Sequence, residues 1–290
     1  MTVLSPYLLR KAGMIMKHWK RNLALSVGAL SAFLYWQDNG LTVSQIALAS
    51  DKIERKKYIH ILHISDLQSK SFGRGQKYIL KKIEKEQPDL IVITGDLIDR
   101  NHLDMEASLD LIRGIVPLAP VYFVTGNHEF QSGVWDILEE ELLANGVTIL
   151  DNAVSMTEIN GVPLALVGLR DKSHNPEYAH VLDTLKKGIF DDRFTILLSH
   201  RPELFPVYAQ KDFDLVFAGH AHGGQFRLPI LGPIFAPHQG FFPEYSEGVH
   251  AALDTTMVIS RGLGNSSFPV RLFNRPELVS IHLYGKGKKE

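Results

Sequence analysis

Two histidines stand one residue apart in Gly219-His220-Ala221-His222-Gly223-Gly224-Gln225. Imidazole is the commonest metal-ligating side chain, and flanking glycines let a backbone bend and approach closely. The pair follows Asp214-Leu215-Val216-Phe217-Ala218, an apolar run that reads as a buried strand. The histidines therefore fall in a loop at the carboxyl end of a strand, where open α/β sheets keep their ligands. Taken alone, the loop reads equally well as a solvated polar turn, because short motifs match by accident.

Four other apolar runs end in the same manner. Residues 58–64 lead into Asp66 and Gln68, and 90–94 lead into Asp96. Residues 121–124 lead into Asn127 and His128, and 193–198 into His200. Such clusters converge if their strands are neighbours. Carboxylate oxygen, amide oxygen and imidazole nitrogen make a mixed donor set that suits Mn, Fe, Zn or a similar ion. There are donors enough for two ions, and ion pairs about 3.5–4 Å apart serve in-line displacement at phosphorus.

Helical patterns lie between the strands, over 73–86, 104–114, 131–145 and 178–187. Strand, helix and strand repeated in this way mean βαβ units, parallel strands and an α/β fold class. Shorter strands read over 147–150, 153–159 and 163–167, with Asn160-Gly161 as a tight hairpin turn. Residues 257–259 and 278–283 look like closing strands. Ahead of them, 226–248 is rich in Pro, Gly and aromatics without a period, the signature of a long loop over a site. Its Phe and Tyr read as loop packing, or as the lining of an acyl or nucleotide pocket.

The chain has 290 residues, 45% hydrophobic and 22% charged, which is ordinary for a globular protein. A net charge of -1 gives no global field for nucleic acid, and no nucleic-acid partner is expected. No cysteine is present, which excludes disulfides, thiol nucleophiles and cysteine-based zinc sites. Near the N-terminus the basic cluster Lys17-His18-Trp19-Lys20-Arg21 precedes an uncharged apolar run, Leu23 to Trp36. A full span needs about 20 apolar residues, so the run reads as a short anchor with apolar residues all round rather than in one stripe. Ala47-Leu48-Ala49 resembles a cleavage site but lies well past the apolar stretch, which favours an uncleaved anchor. The basic residues would stay in the cytoplasm and the bulk of the chain outside it.

In family order across 59–285, the motifs are Asp66-Leu67-Gln68, Gly95-Asp96-Leu97-Ile98-Asp99, Gly126-Asn127-His128-Glu129, His200 and Gly219-His220-Ala221-His222. In this combination the chain resembles the calcineurin-like metallophosphoesterases. With its anchored N-terminus it is similar to the membrane-associated bacterial branch whose enzymes cleave the pyrophosphate of UDP-2,3-diacylglucosamine. The resemblance implies a four-layer α/β/β/α sandwich with two central mixed sheets. It also implies two divalent ions, Mn first, with Fe, Zn or Mg as alternatives. Asp96 would bridge them, Asp66, Gln68 and His222 would complete the first position, and Asn127, His200 and His220 the second. A hydroxide held between the ions would attack phosphorus. His128 would serve the leaving oxygen, Asp99 would orient that ring, and Arg100 would hold a substrate phosphate.

One departure stands out: Gln68 occupies a position where the family carries His. An amide oxygen is a weaker donor to borderline metals than imidazole, so that position would be looser or select a harder ion. His63 is close in sequence, but its side chain would face away from Asp66. His60, His102, His174, His180, His238, His250 and His282 read as solvated or core-satisfied.

The expected organisation is a basic segment (1–22), a hydrophobic membrane anchor (23–37), a polar linker (38–58) and the metallophosphoesterase domain (59–285). The expected activity is hydrolysis of a phosphodiester or pyrophosphate, on a lipid-linked or nucleotide-sugar substrate, with no obligate protein partner. A metal-binding module weakened at Gln68 and a protein phosphatase are the rival readings.

Overall fold

The computed structural model describes residues 6–189, 192–265 and 268–286. The chain opens with helix α1 (Pro6–Asn39), followed by strands β1 (Thr42–Ser50) and β2 (Tyr58–Ile64). Then come α2 (Lys77–Glu86), β3 (Leu90–Thr94), α3 (Met105–Ile115), β4 (Val121–Val124), α4 (Asn127–Gln131), α5 (Trp135–Ala144) and β5 (Thr148–Ile149). The second half runs β6 (Ala153–Ile159), β7 (Val162–Gly168), α6 (Tyr178–Lys187), β8 (Phe194–Leu198), α7 (Phe205–Ala209) and β9 (Leu215–Ala218). Four two-residue strands follow, β10 (Arg227–Leu228), β11 (Gly232–Pro233), β12 (Phe235–Ala236) and β13 (Gly240–Phe241), and β14 (Gly248–Ala252), β15 (Thr255–Ile259) and β16 (Glu277–Gly285) close the fold.

These strands build two 6-stranded mixed sheets, ordered β1-β16-β2-β3-β4-β5 and β14-β15-β9-β8-β7-β6. Side chains alternate across each strand, and the cores follow that alternation. Ile59, Ile61, Leu90 and Val92 of the first sheet meet Leu164, Leu166, Ile196 and Phe217 of the second. The opposite face of the first sheet, through Leu62, Ile64, Ile91 and Ile93, packs on Ile79, Ile83, Ile112 and Leu138 of the helices. Leu182, Phe205 and Tyr208 cover the outer face of the second. This is the expected four-layer α/β/β/α arrangement. Local signals agree with it. Asp104 caps α3 by accepting a hydrogen bond from Ala107 N at 3.0 Å. Asn160 and Gly161, both at positive φ, make the two-residue turn between β6 and β7.

Three boundaries differ from expectation. Residues 42–50, assigned to the 38–58 linker, form an edge strand paired in parallel with β16. Ile46 and Leu48 of that strand pack on the core between the sheets, which is why it belongs to the domain. Ala47-Leu48-Ala49 thus lies inside a strand, opposite His282, Leu283 and Tyr284. The helix expected over 131–145 is instead α4 and α5, broken at Gly133, which has φ 73°. And α1 starts at Pro6, so residue 22 marks no structural boundary; residues 1–5 of the expected 1–22 segment lie outside the described residues. Residues 18–32 of α1 are exposed on every side. Among the described residues, no helix is long and apolar enough to cross a membrane.

Candidate active site

The sheet orders bring the five polar strand ends together. Strands β2, β3 and β4 are successive neighbours in one sheet, and β8 and β9 are neighbours in the other. The two halves join at Gly219, where a side chain would collide with Ser65 Oγ and Asp66 Oδ2. Only a residue without Cβ lets the β9 loop approach so closely. His220 N then donates to Asp66 Oδ2 at 3.1 Å. Asp66, Gln68, Asp96, His220 and His222 all adopt positive φ. Non-glycine residues seldom do so unless the surroundings hold them there, and such residues gather at functional sites.

Two groups of buried donors result, Asp66 with Asp96 and His222, and Asp96 with His200 and His220; in each, the donor atoms lie within 4.8 Å of one another. Asp96 belongs to both. His200 Nε2 lies 3.3 Å from Asp96 Oδ2, and His222 Nε2 lies 3.2 Å from Asp66 Oδ1. His200 Nδ1 donates to the Thr94 carbonyl at 2.7 Å, which leaves the Nε2 lone pair for the centre. Gln68 Nε2 is 3.1 Å from His222 Nε2, so the unexpected amide side chain reaches this cluster. Two buried amide oxygens, Gln68 Oε1 and Asn127 Oδ1, have no hydrogen-bond partner. Buried polar atoms are rarely left so. Orphan amide oxygens on residues that follow β2 and β4 suit a divalent cation.

Electrostatics support the same reading. Burial alone would raise the Asp96 carboxyl, but His200, His128 and His220 outweigh it and hold Asp96 well below the usual carboxylate range. Asp66 is likewise buried, yet held low by His222 and His200. Burial works to lower His200, and the Asp96 charge overrides it and raises the imidazole to about 10. His220 goes the other way, pushed well below 6.5 by burial and by the nearby Arg201 charge.

The remaining expected residues fall at the rim. His128 N donates to Asp96 Oδ1 at 2.8 Å, and its Nδ1 accepts from Arg100 N at 3.2 Å. Asp99 Oδ1 is 3.5 Å from that Nδ1, beyond direct hydrogen bonding, so the Arg100 amide is the closer group orienting the ring. The exposed Arg100 side chain bonds to Gln131 Oε1. His63 faces away as expected, bonded to Thr94 Oγ1 at 2.8 Å.

Four residues of the site, Glu129, Asp171, Arg201 and His238, were given no part in it by the sequence. Glu129 accepts from Asp96 N, Leu97 N and Gly126 N at 2.9, 2.7 and 2.7 Å, and so fixes the ends of β3 and β4. Burial and the Asp96 charge push its carboxyl up to about 8. Arg201 is buried against Asp171, with Nε to Oδ2 at 2.6 Å and Nη2 to Oδ1 at 3.0 Å. His238, expected to be solvated or core-satisfied, lies 2.9 Å from His220 Nε2. The position of Arg201 directly after His200 was a usable signal; nothing in the 226–248 composition singles out His238.

The calcineurin-like phosphoesterase family model matches residues 59–224, which spans every motif above. The chain belongs to the calcineurin-like phosphoesterase family. It is a metal-dependent phosphoester hydrolase by that membership. An uncharacterized metallophosphoesterase of Bacillus subtilis (strain 168), YkuE, is 31% identical over 211 residues, covering 71% of this chain and 72% of its own. An uncharacterized metallophosphoesterase of Aquifex aeolicus (strain VF5) is 28% identical over 266 residues, covering 89% of this chain and 97% of its own. The phosphodiesterase YaeI of Escherichia coli (strain K12) is 29% identical over 206 residues, covering 69% of this chain and 72% of its own. In this phosphoesterase both sheets bring candidate metal donors together at their strand ends.

Proposed function

We propose that the protein hydrolyses phosphodiester or pyrophosphate bonds with two divalent ions, Mn first among them, on a substrate presented at a membrane. The observation that carries this reading is the pair of buried donor groups sharing Asp96, with the orphan oxygens of Gln68 and Asn127 beside them. Asp66, Gln68, Asp96 and His222 would hold one ion, and Asp96, Asn127, His200 and His220 the other. Bound there, the ions would supply an activated water and neutralise charge on the phosphoryl oxygens.

The chain's own groups do the rest. His128 Nδ1 accepts a backbone N–H, so its proton sits on Nε2, the nitrogen 3.9 Å from Asp96 Oδ2. That N–H faces the centre and can pass to a leaving oxygen. Arg100, on the same rim, can take a substrate phosphate once freed from Gln131. The buried carboxylates and imidazoles stand in fixed positions, so little reorganisation accompanies the reaction.

Exposed apolar surface supports the membrane part of the reading. Trp19, Leu23, Leu25, Leu30, Tyr35 and Trp36 of α1 are exposed. Phe33 of α1 contacts Phe273 at 5.7 Å, and Phe226 at the foot of the β10–β11 hairpin contacts Phe268 at 5.2 Å. Phe241 and Phe242 of the β12–β13 hairpin are 73% and 67% exposed. Exposed apolar side chains on α1 and on the β12–β13 hairpin suit a bilayer, from which a lipid-linked phosphoester would be drawn. The basic cluster before Leu23 supports an extracytoplasmic domain.

The test is hydrolysis of bis-p-nitrophenyl phosphate by the full chain, with and without Mn²⁺, beside Asp96→Asn. Metal-dependent turnover that the variant loses is the expected result. A folded protein inert with every divalent ion would instead support the metal-binding module weakened at Gln68.

A further inference from the structure

A metal-ligating imidazole works only if its second nitrogen is held, since that bond fixes the tautomer and the ring plane. For His200 the Thr94 carbonyl does this. For His220 the situation is less simple. Its Nδ1 lies 3.1 Å from His200 Nε2, inside the centre, so Nδ1 is the nitrogen that can ligate. A neutral ring with a free lone pair on Nδ1 carries its proton on Nε2. That N–H needs an acceptor.

Two groups stand within reach of Nε2, Arg201 Nη1 at 2.8 Å and His238 Nδ1 at 2.9 Å. A guanidinium has no acceptor. Arg201 Nη1 is moreover itself 2.9 Å from His238 Nδ1 and in need of the same lone pair. Asp171 pins Arg201 through its other two nitrogens, so it has no freedom to turn away. The Glu203 carboxylate belongs to the same cluster, within 4.8 Å of both rings, but the hydrogen bonds drawn above run to His238. Once Nδ1 ligates an ion and Nε2 carries the proton, His238 Nδ1, unprotonated, is the group in contact with Nε2 that can accept from it.

His238 comes from a different part of the chain than any ligand. It sits in the turn between β12 and β13, at φ 61°, in the left-handed region where histidine is tolerated better than bulky residues. The turn is clamped by its neighbour, because Gln239 accepts from Tyr245 N at 2.9 Å and donates to Tyr245 O at 2.7 Å. Phe242 N bonds to Ile234 O, and Ile234 N to Phe226 O, each at 2.9 Å. The loop is thus built to deliver one imidazole to the back of one ligand.

We propose that His238 is a positioning residue for His220, so that ordering of the 226–247 loop and filling of the ion position served by His200 and His220 are a single coupled event. This rests on the two-ion reading above. Loss of such an outer partner typically lowers metal affinity about 10–100-fold.

The experiment measures Mn²⁺ binding to the full chain by equilibrium dialysis, and amide hydrogen exchange of the 226–247 segment with Mn²⁺ or with EDTA. It compares wild type, His238→Ala and His238→Asn. Asparagine places an acceptor oxygen where Nδ1 stands and tolerates positive φ, so it should restore what alanine removes. The expected result has wild type binding two ions with Mn²⁺-dependent protection of the loop. His238→Ala should bind one ion about 10–100-fold more weakly and lose that protection, and His238→Asn should recover both. Unchanged binding of both ions by His238→Ala, or loop exchange indifferent to Mn²⁺ in wild type, overturns the inference and leaves the two-ion reading standing. Fewer than two ions in wild type overturns that reading and this inference with it.

Discussion

Asp171→Asn isolates the buried pair behind the metal centre. Asp171 and Arg201 are 1% and 4% exposed, so water screens their attraction little. Asp171 Oδ2 accepts from Arg201 Nε at 2.6 Å, while Oδ1 accepts from Arg201 Nη2 at 3.0 Å and from Ser173 N at 2.9 Å. Asparagine keeps one oxygen, which will stay with Ser173 and Nη2. Its amide nitrogen then faces Nε, donor against donor, and the buried guanidinium loses its nearest counter-charge and keeps only Glu203 Oε1, 3.9 Å away. Breaking a buried pair in this manner costs about 3–5 kcal/mol. At about 2 °C per kcal/mol for a large domain, thermal unfolding should fall by ~6–10 °C. Removing both partners with Asp171→Leu and Arg201→Met should recover most of the loss, because the buried guanidinium goes with its partner and Glu203 was paired to it only at 3.9 Å. Thermal and urea unfolding of the two single variants and the double variant measure the coupling. A drop below about 1 kcal/mol for Asp171→Asn, or a double variant no more stable than the singles, would refute the reasoning. Burial acts to raise the Asp171 carboxyl, but Arg201 wins and holds it low. The pair's stabilisation is therefore complete above the unfolded value of about 3.9 and fades as pH falls below it.

His200, raised to about 10 in the metal-free protein, contributes stability that is complete below about 6.5 and lost as pH rises through its folded value. Stability to unfolding in EDTA should therefore fall from pH 6.5 to 9.5, whereas Mn²⁺ affinity should rise ~tenfold per pH unit over the lower part of that range, since ligation releases the proton; a Mn²⁺ affinity that is flat with pH would count against His200 as a ligand. Gly219→Ala should abolish metal-dependent turnover and lower stability by several kcal/mol, because the new methyl meets Ser65 and Asp66; circular dichroism and Mn²⁺ dialysis of a well-behaved, fully active variant would show the approach is looser than drawn. Gln68→His should tighten binding at the Asp66–His222 position and shift preference toward Zn²⁺, read as the ratio of Zn²⁺ to Mn²⁺ affinity, and an unchanged ratio would mean that residue 68 does not ligate.

Most of the site was legible because it is written at strand ends. The runs at 58–64, 90–94 and 121–124 are buried on both faces, so their lengths are set by apolar residues and their ends by Asp, Gly and Asn. What was hidden depends on partners distant in sequence. The strand at 42–50 alternates only weakly and owes its existence to β16 at the other end of the chain. His238 looks like any loop histidine until the β12–β13 turn is folded against His220. Arg201 reads as a surface charge unless Asp171, in a separate loop, is known to meet it. The sequence also marks Gln68 as a weaker ligand, yet cannot tell that its side chain still points at His222.

The place of β16 has a consequence for the order of events during synthesis. This strand lies between β1 and β2, which stand far earlier in the sequence. Synthesis must pass Gly285 before the first sheet can be completed, and until then the inner edges of β1 and β2 wait unpaired. Contacts of such sequence separation slow folding and lengthen exposure to aggregation. A nascent chain truncated before Glu277 would be left with an open sheet, and quality control would meet it in that state.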